Sequence, residues 1–334
     1  MVTYRLLLDV VERVGGAARG DQVTIPLDGV DPEDAERTVA AWCAHTGNEL
    51  VAVRDDAVVV RRGPVMDVLA DLDASLVPGT TLWIYTNFDC NLACDYCCAR
   101  SSPQADRKGL GLDRVARLAS EAGEAGVSEL ILTGGEPFLL PDIAAVVQAC
   151  TRVLPTILLT NGMLFRGRRL DALRRMDTTR LSLQISLDSA TPDRHDQHRG
   201  RGSWAKAVAG IRTAREEGFR VRVAATLPAE RTHELAGFHA FLDELGIEHV
   251  DQIIRAIAHR GFATEGVELT KESLVPEVTV TADGVYWHPV SAGHDDQLVT
   301  TEVFPLADAI AEVRRQFSAI RAHAAGAAQW FSCA

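Results

Sequence analysis

The sequence predicts an α/β protein whose main domain is a sheet of parallel strands joined by right-handed helical crossovers. Three observations carry this. From Thr81 onward, six short apolar runs of strand character alternate with longer stretches of helical spacing. Several of these runs end in glycine, asparagine or acidic residues that turn the chain or present polar groups, as in Gly134-Gly135-Glu136-Pro137 and Thr160-Asn161-Gly162. The chain has 334 residues, 47% of them hydrophobic, which is room for one large domain and a smaller one.

Residues 1–65 read as the smaller α/β unit. Tyr4 to Val14 places Leu6, Leu7, Val10, Val11 and Val14 at helical spacing, and Gly15-Gly16 stops it. Gln22 to Leu27 is a short strand. Asp31-Pro32-Glu33-Asp34 opens a helix, with proline in the first turn and acids at the positive end, and Gly47 closes it. Strands follow at 49–54 and 57–62, joined by Asp55-Asp56. Residues 66–80 read as a helical connector broken by Pro78-Gly79. Residues 81–260 form the large domain, with strands at 81–88, 129–133, 156–160, 180–187, 219–227 and 249–255. Its helices lie near 112–125, 141–153, 167–175, 203–217 and 231–245. Ligands of such a sheet belong at the carboxyl ends of the strands. Residues 261–334 are a C-terminal extension: a hairpin over 276–290 turning at Asp283-Gly284, then a helix from about Pro305 to His323.

Composition narrows the function classes. No apolar run reaches membrane-spanning length, and charge interrupts the N-terminus too early for a secretory signal, so a cytoplasmic protein is expected. A net charge of −12 argues against a nucleic-acid scaffold. Of seven cysteines, four cluster at 90–98, while Cys43, Cys150 and Cys333 stand alone, a distribution that fits a reducing compartment.

The clustered cysteines carry the chemistry. An apolar run from Leu82 to Phe88 leads into Cys90, Cys94 and Cys97, spaced C-x3-C-x2-C, with Tyr96 before the third. Such a loop can hold a metal or an iron–sulfur cluster; a disulfide pair, a zinc knuckle and buried free thiols are the alternatives. Cys98 is a poor further ligand, because adjacent residues seldom aim both side chains at one metal. The stretch resembles the cluster loop of the radical S-adenosylmethionine (SAM) enzymes, C-x3-C-x-aromatic-C. That resemblance implies a partial (β/α)6 TIM-like barrel over 81–260. It also implies one 4Fe–4S cluster on Cys90, Cys94 and Cys97, with an open iron for SAM. SAM cleavage to a 5′-deoxyadenosyl radical and hydrogen abstraction from a substrate would follow.

The same resemblance assigns cofactor contacts to Tyr96, Gly134, Gly135, Glu136, Asn161, Ser186, Asp188 and Arg199. Gly134-Gly135-Glu136-Pro137 matches the motif for the SAM amino group. Asn161 either lines the cofactor side or simply forms an Asn-Gly turn. Ser186 and Asp188, two apart on a strand, share a face and are expected near the SAM ribose or carboxylate. Arg199, in His195-Asp196-Gln197-His198-Arg199-Gly200, is the expected carboxylate clamp. His195 and His198 read as a loop pair packing locally or as metal ligands, and Ser203 as the cap of the next helix. Arg255, His259 and Arg260 follow the sixth strand and are either substrate contacts or solvated charges.

The flanks carry weaker resemblances. Trp42-Cys43-Ala44-His45-Thr46-Gly47-Asn48-Glu49-Leu50 resembles small TusA-type sulfur carriers, but the family's catalytic Cys-Pro is missing. Cys43 therefore reads as a buried structural residue and the unit as a docking or scaffold element; a winged-helix peptide-recognition domain is the alternative. The 276–290 hairpin resembles the SPASM-type extension of peptide-modifying members, yet His288-Pro289 stands where a cluster cysteine would. The expected substrate is a peptide or protein, with a small metabolite (sugar, tetrapyrrole or nucleoside intermediate) or a non-catalytic binding protein as the alternatives. A flavodoxin or ferredoxin-type electron donor is implied.

Overall fold

The computed structural model describes residues 2–63, 69 and 72–330. The chain divides into two compact units, one holding the residues up to 72 together with those from 318, the other Asp73–Phe317.

The first unit has α1 (Val2–Gly15), β1 (Gln22–Pro26), α2 (Pro32–Thr46), β2 (Glu49–Val53) and β3 (Ala57–Arg61). Its antiparallel sheet has the order β1-β3-β2. Leu6, Leu7, Val10 and Val14 of α1 pack with Ile25, Val39, Trp42, Cys43, Val58 and Val60 in one core. Val11 is 40% exposed, so the apolar stripe of α1 is narrower than its spacing predicts. Asp31 caps α2 by accepting from the Glu33 amide at 2.9 Å, and Gly47 ends the helix in the left-handed region at φ 68°. Burial pushes the Cys43 thiol up to about 11, as for a small core residue.

The helical connector expected at 66–80 falls largely outside the described residues; within it, Ala74–Leu76 forms a 3-10 turn. The second unit then follows the predicted alternation. Strands β4 (Thr81–Tyr85), β5 (Glu129–Thr133), β6 (Thr156–Thr160), β7 (Leu181–Ser186), β8 (Arg220–Leu227) and β9 (Gln252–Ala256) are parallel and lie side by side in chain order. The crossovers carry α3 (Gly111–Glu124), α4 (Ile143–Thr151), α5 (Arg168–Leu173), α6 (Pro192–Arg199), α7 (Ser203–Glu216) and α8 (Leu235–Glu244). The period of two sorts each strand: Leu82, Ile84, Leu130, Leu132, Leu158 and Leu183 are completely buried, while Trp83, Ile131 and Ile157 form a separate cluster with Leu159.

The C-terminal hairpin forms as predicted, β10 (Thr279–Val280) against β11 (Val285–Tyr286), and β10 adds to the sheet parallel to β4. A further strand, β12 (Leu298–Thr300), pairs with β11. The sheet thus runs β12-β11-β10-β4-β5-β6-β7-β8-β9 and stays open. Helix α9 (Leu306–Trp330) starts in this unit, with Leu306, Ile310, Val313 and Phe317 buried, and extends beyond the expected end. Cys333 lies outside the described residues.

Three expectations change. The first strand ends at Tyr85 rather than at residue 88, because the backbone beyond it bonds to the Gly-Gly-Glu segment. The stretch holding His195 and His198 is helix α6, not a loop. Ser203 does not cap α7; it is the first helical residue, and Asp196 does the capping, accepting from Ser203 Oγ at 3.0 Å and from the Trp204 amide at 2.8 Å.

Candidate functional site

The cysteine loop leaves the carboxyl end of β4, and its backbone is strapped to the end of β5. The Gly135 and Glu136 amides donate to the Asn87 and Asp89 carbonyls, each at 3.0 Å. Asn87, only 2% exposed, donates through Nδ2 to the carbonyls of Asp89 at 2.9 Å and Glu136 at 3.2 Å. This strap requires both glycines. A Cβ on Gly135 would stand 2.2 Å from the Asp89 carbonyl oxygen, and one on Gly134 would stand 2.6 Å from that of Asn87.

Cys90, Cys94, Cys97 and Cys98 are free thiols, and all four line one cavity of about 230 Å³. The Leu92 amide donates to Cys90 Sγ at 3.4 Å and the Ser101 amide to Cys97 Sγ at 3.3 Å, contacts that favour the anionic sulfur. Burial pushes the Cys90 thiol up to about 12 and that of Cys94 to about 11, the latter partly opposed by Arg199. Thiolates here call for a cationic partner, and Ser101 Oγ is buried beside them without a hydrogen-bond partner. Among the described residues no three His, Cys, Asp or Glu side chains come close enough to hold a single metal ion. The donors suit a larger group with several sulfur ligands better than a zinc knuckle, and the thiols are not paired as a disulfide.

Beside the sulfurs, the cavity is walled by Tyr96, Thr133, Gly134, Gly135, Asn161, Ser186 and Arg199. Two expected cofactor contacts are placed differently. Glu136 is completely buried and all its partners are internal: Oε1 accepts from the Phe138 amide at 3.0 Å and Thr160 Oγ1 at 2.7 Å, Oε2 from the Asn161 amide at 2.8 Å. Burial raises its pKa, against the pull of those donors. Its carboxylate ties β5 to β6 behind the cavity. Asp188 lies just past β7, 1% exposed, and accepts from Arg199 Nε at 2.6 Å, Arg199 Nη2 at 3.2 Å, the Thr226 amide at 3.0 Å and the Tyr96 hydroxyl. Burial would raise this carboxyl, but Arg199 and the other partners outweigh it and hold it below the ordinary carboxylate value. Asp188 therefore fixes Arg199 and Tyr96 rather than facing the cavity.

Asn161 stands at the cavity and in a turn. It lines the cavity, accepts from the Met163 amide at 3.0 Å as a turn residue does, and donates to Asn91 Oδ1 of the cysteine loop at 2.9 Å. The histidines of α6 are struts. His195, 1% exposed, accepts from the Asp188 amide at 3.1 Å, and burial lowers its pKa to about 4, so it is neutral at pH 7. His198 Nδ1 meets Asp95 of the cysteine loop at 3.0 Å.

The wall built by β8 and β9 was less visible beforehand. Thr226 and Arg255 are register partners and both line the cavity. The segment after β9 packs on the cysteine loop: the Phe262 amide donates to the Cys97 carbonyl at 3.1 Å, and a Cβ on Gly261 would stand 2.1 Å from that oxygen. From the extension, His294 Nε2 meets the Cys98 carbonyl at 3.0 Å and Tyr85 donates to the Pro289 carbonyl at 2.7 Å. His259 and Arg260 pair with Glu268 and Asp296, away from the cavity. Asn87 and Thr226 went unnoticed in the sequence; a polar residue just past a strand, as Asn87 is, was the available signal for the first.

Residues 84–245 match the model of the radical SAM superfamily, so the chain carries a domain of that superfamily. An AdoMet-dependent heme synthase of Methanosarcina barkeri is 31% identical over 159 residues, 47% of this chain and 45% of that protein. A PqqA peptide cyclase of Ruegeria pomeroyi is 29% identical over 177 residues, 52% of this chain and 46% of that protein. The chain thus spans under half the length of these curated relatives, both of them named enzymes. Among solved structures, Streptococcus suis SuiB bound to S-adenosylmethionine superimposes with a TM-score of 0.50 over 81% of this chain and 55% of that one, at 16% identity, a likeness of fold.

Proposed function

We propose that the radical SAM domain is catalytic, with one 4Fe–4S cluster on Cys90, Cys94 and Cys97 and SAM in the adjoining cavity. One observation carries this: the three thiols open onto the cavity that the ends of β5, β6 and β7 wall, through Gly134, Gly135, Asn161 and Ser186. Cys90, Cys94 and Cys97 would hold the cluster, and when bound it would supply the electron for reductive cleavage of SAM and so the radical chemistry toward a substrate hydrogen. The chain's own residues hold the geometry. Glu136 and Asp188 act as positioning residues, the first joining the strand ends and the second orienting Arg199 and Tyr96. Arg199 offers its remaining guanidinium edge toward the cavity, where a SAM carboxylate is the fitting partner. Cys43, in the core of the other unit, and Cys150, completely buried in α4, are not cluster ligands in this reading.

The substrate we favour is a peptide or protein. The hairpin β10–β11 supports this, as does the relative named as a peptide cyclase. A small metabolite is the second reading, favoured by the relative named as a heme synthase. A flavodoxin or ferredoxin-type protein would donate the electron. The N-terminal unit, without a Cys-Pro motif, serves docking or scaffolding. No helix among the described residues is long and apolar enough to cross a membrane.

The test is SAM turnover by anaerobically reconstituted protein reduced with dithionite. Release of 5′-deoxyadenosine by the wild type, and its loss in Cys90→Ala, Cys94→Ala and Cys97→Ala, is expected. A reconstituted wild type with full iron content and no 5′-deoxyadenosine would overturn the catalytic reading.

A further inference from the structure

The cavity is lined by two guanidinium groups with opposite electrostatic situations. Arg199 is neutralised by a bidentate pair with Asp188, at 2.6 and 3.2 Å, and is largely buried. Arg255, at the carboxyl end of β9, has no hydrogen bond or ion pair among the described residues. It is exposed along the cavity, yet crowding by protein lowers its pKa, against the opposing charge of Glu277. Its neighbours in the wall include the hydroxyl groups of Thr226 and Ser186, which also lack side-chain partners among the described residues. Ala256 and Ala258, with small side chains, line the same cavity.

A partly desolvated guanidinium with no hydrogen-bonded counter-ion in a cavity favours an anion, and a planar one favours a carboxylate. We infer that Arg255 is a specificity-determining residue that holds a carboxylate of the substrate at the mouth of the cluster cavity. This rests on the catalytic reading above and narrows its substrate class: the peptide presents an acidic side chain or its C-terminal carboxylate next to the reacting position. The two sources share one chemistry, and Arg255 sits where β9 is the free edge of the sheet, so a bound segment reaches it without crossing a paired strand.

The experiment uses reconstituted full-length protein with saturating SAM and measures binding of four alanine-based pentapeptides by calorimetry. One is capped at both ends with a central Glu, and its counterpart carries Gln. One has a free C-terminal carboxylate, and its counterpart is amidated. Wild type is expected to bind one carboxylate form about ten- to a hundredfold more tightly than its amide counterpart, as one charge-assisted contact gives; which pair shows the preference identifies the source. Arg255→Gln should abolish that preference and Arg255→Lys should keep part of it, while cluster absorbance and SAM affinity stay at wild-type levels in both. Equal or absent binding of both forms by the wild type, or a preference retained in Arg255→Gln, would overturn the inference. So would a fall in SAM affinity of Arg255→Gln matching its peptide loss, since the residue would then serve the cofactor. Failure of the catalytic reading is separate: it appears as absent cluster or SAM binding in the wild type, before any peptide is added.

Discussion

The two walls of the cavity differ in how their polar groups are spent. On the wall built from the cysteine loop, β5, β6 and α6, the charged side chains are tied to other groups of the protein, although Ser101 Oγ is left without a partner. Glu136 holds Thr160 and the Asn161 amide, Asp188 holds Arg199 and Tyr96, and His198 holds Asp95. On the wall built from β8 and β9, Thr226 and Arg255 offer side chains that the protein leaves unused. A network satisfied internally is fixed before any ligand arrives, at the cost of being rigid; unspent donors are available for recognition. The difference separates positioning from binding within a single cavity.

That contrast predicts a descending series of effects. The largest belongs to Asp188→Ala, which strands the buried guanidinium of Arg199 without a counter-charge. Urea unfolding should show a loss of roughly 3–5 kcal/mol, with SAM binding lost as well. A loss below ~1 kcal/mol would mean that the pair is not the anchor of its wall.

The next effect is pH-dependent. Burial holds the His195 pKa at about 4 in the folded protein, while in the unfolded chain it titrates near ~6.5. On acidification the unfolded chain takes up the proton first. The contribution of neutral His195 is therefore complete above about pH 6.5 and is lost as pH falls toward 4, amounting to roughly 3 kcal/mol. Unfolding free energies measured across that window should fall less steeply in His195→Gln than in wild type; parallel curves would remove His195 as a strut.

A smaller cost is expected for Gly135→Ala, whose new Cβ must displace the Asp89 carbonyl. About 1–3 kcal/mol of overpacking strain should appear in unfolding, together with reduced iron incorporation. The smallest belongs to the opposite wall. Arg255→Gln should change stability by no more than ~0.5 kcal/mol, because its guanidinium makes no hydrogen bond or ion pair among the described residues.

Local signals made much of this legible in advance. The cysteine spacing, Gly134-Gly135-Glu136-Pro137 and the period of two along β4 to β8 all lie within a few residues of what they determine. Helix α6 was obscured because it has no apolar stripe; Pro192 to Arg199 is polar throughout and only His195 is buried. The roles of Glu136 and Asp188 were legible as polar residues at strand ends but not as consumed ones. Their partners are distant in the chain: Thr160 lies 24 residues from Glu136, and Tyr96 lies 92 from Asp188. Sequence patterns name a carboxylate at such a place without saying which protein groups claim it first. Arg255 shows the reverse case: the sequence leaves it open between a substrate contact and a solvated charge, and β8 and β9 bring it beside Thr226.

The central claim is that Cys90, Cys94 and Cys97 present one cluster to SAM inside this cavity. Electron paramagnetic resonance of the reduced, reconstituted protein, recorded with and without SAM, tests it most directly. The account predicts a 4Fe–4S signal in wild type and in Cys98→Ala that changes shape when SAM is added, and no such signal in Cys94→Ala. A wild-type signal indifferent to SAM, or a SAM-responsive signal surviving in Cys94→Ala, would contradict it.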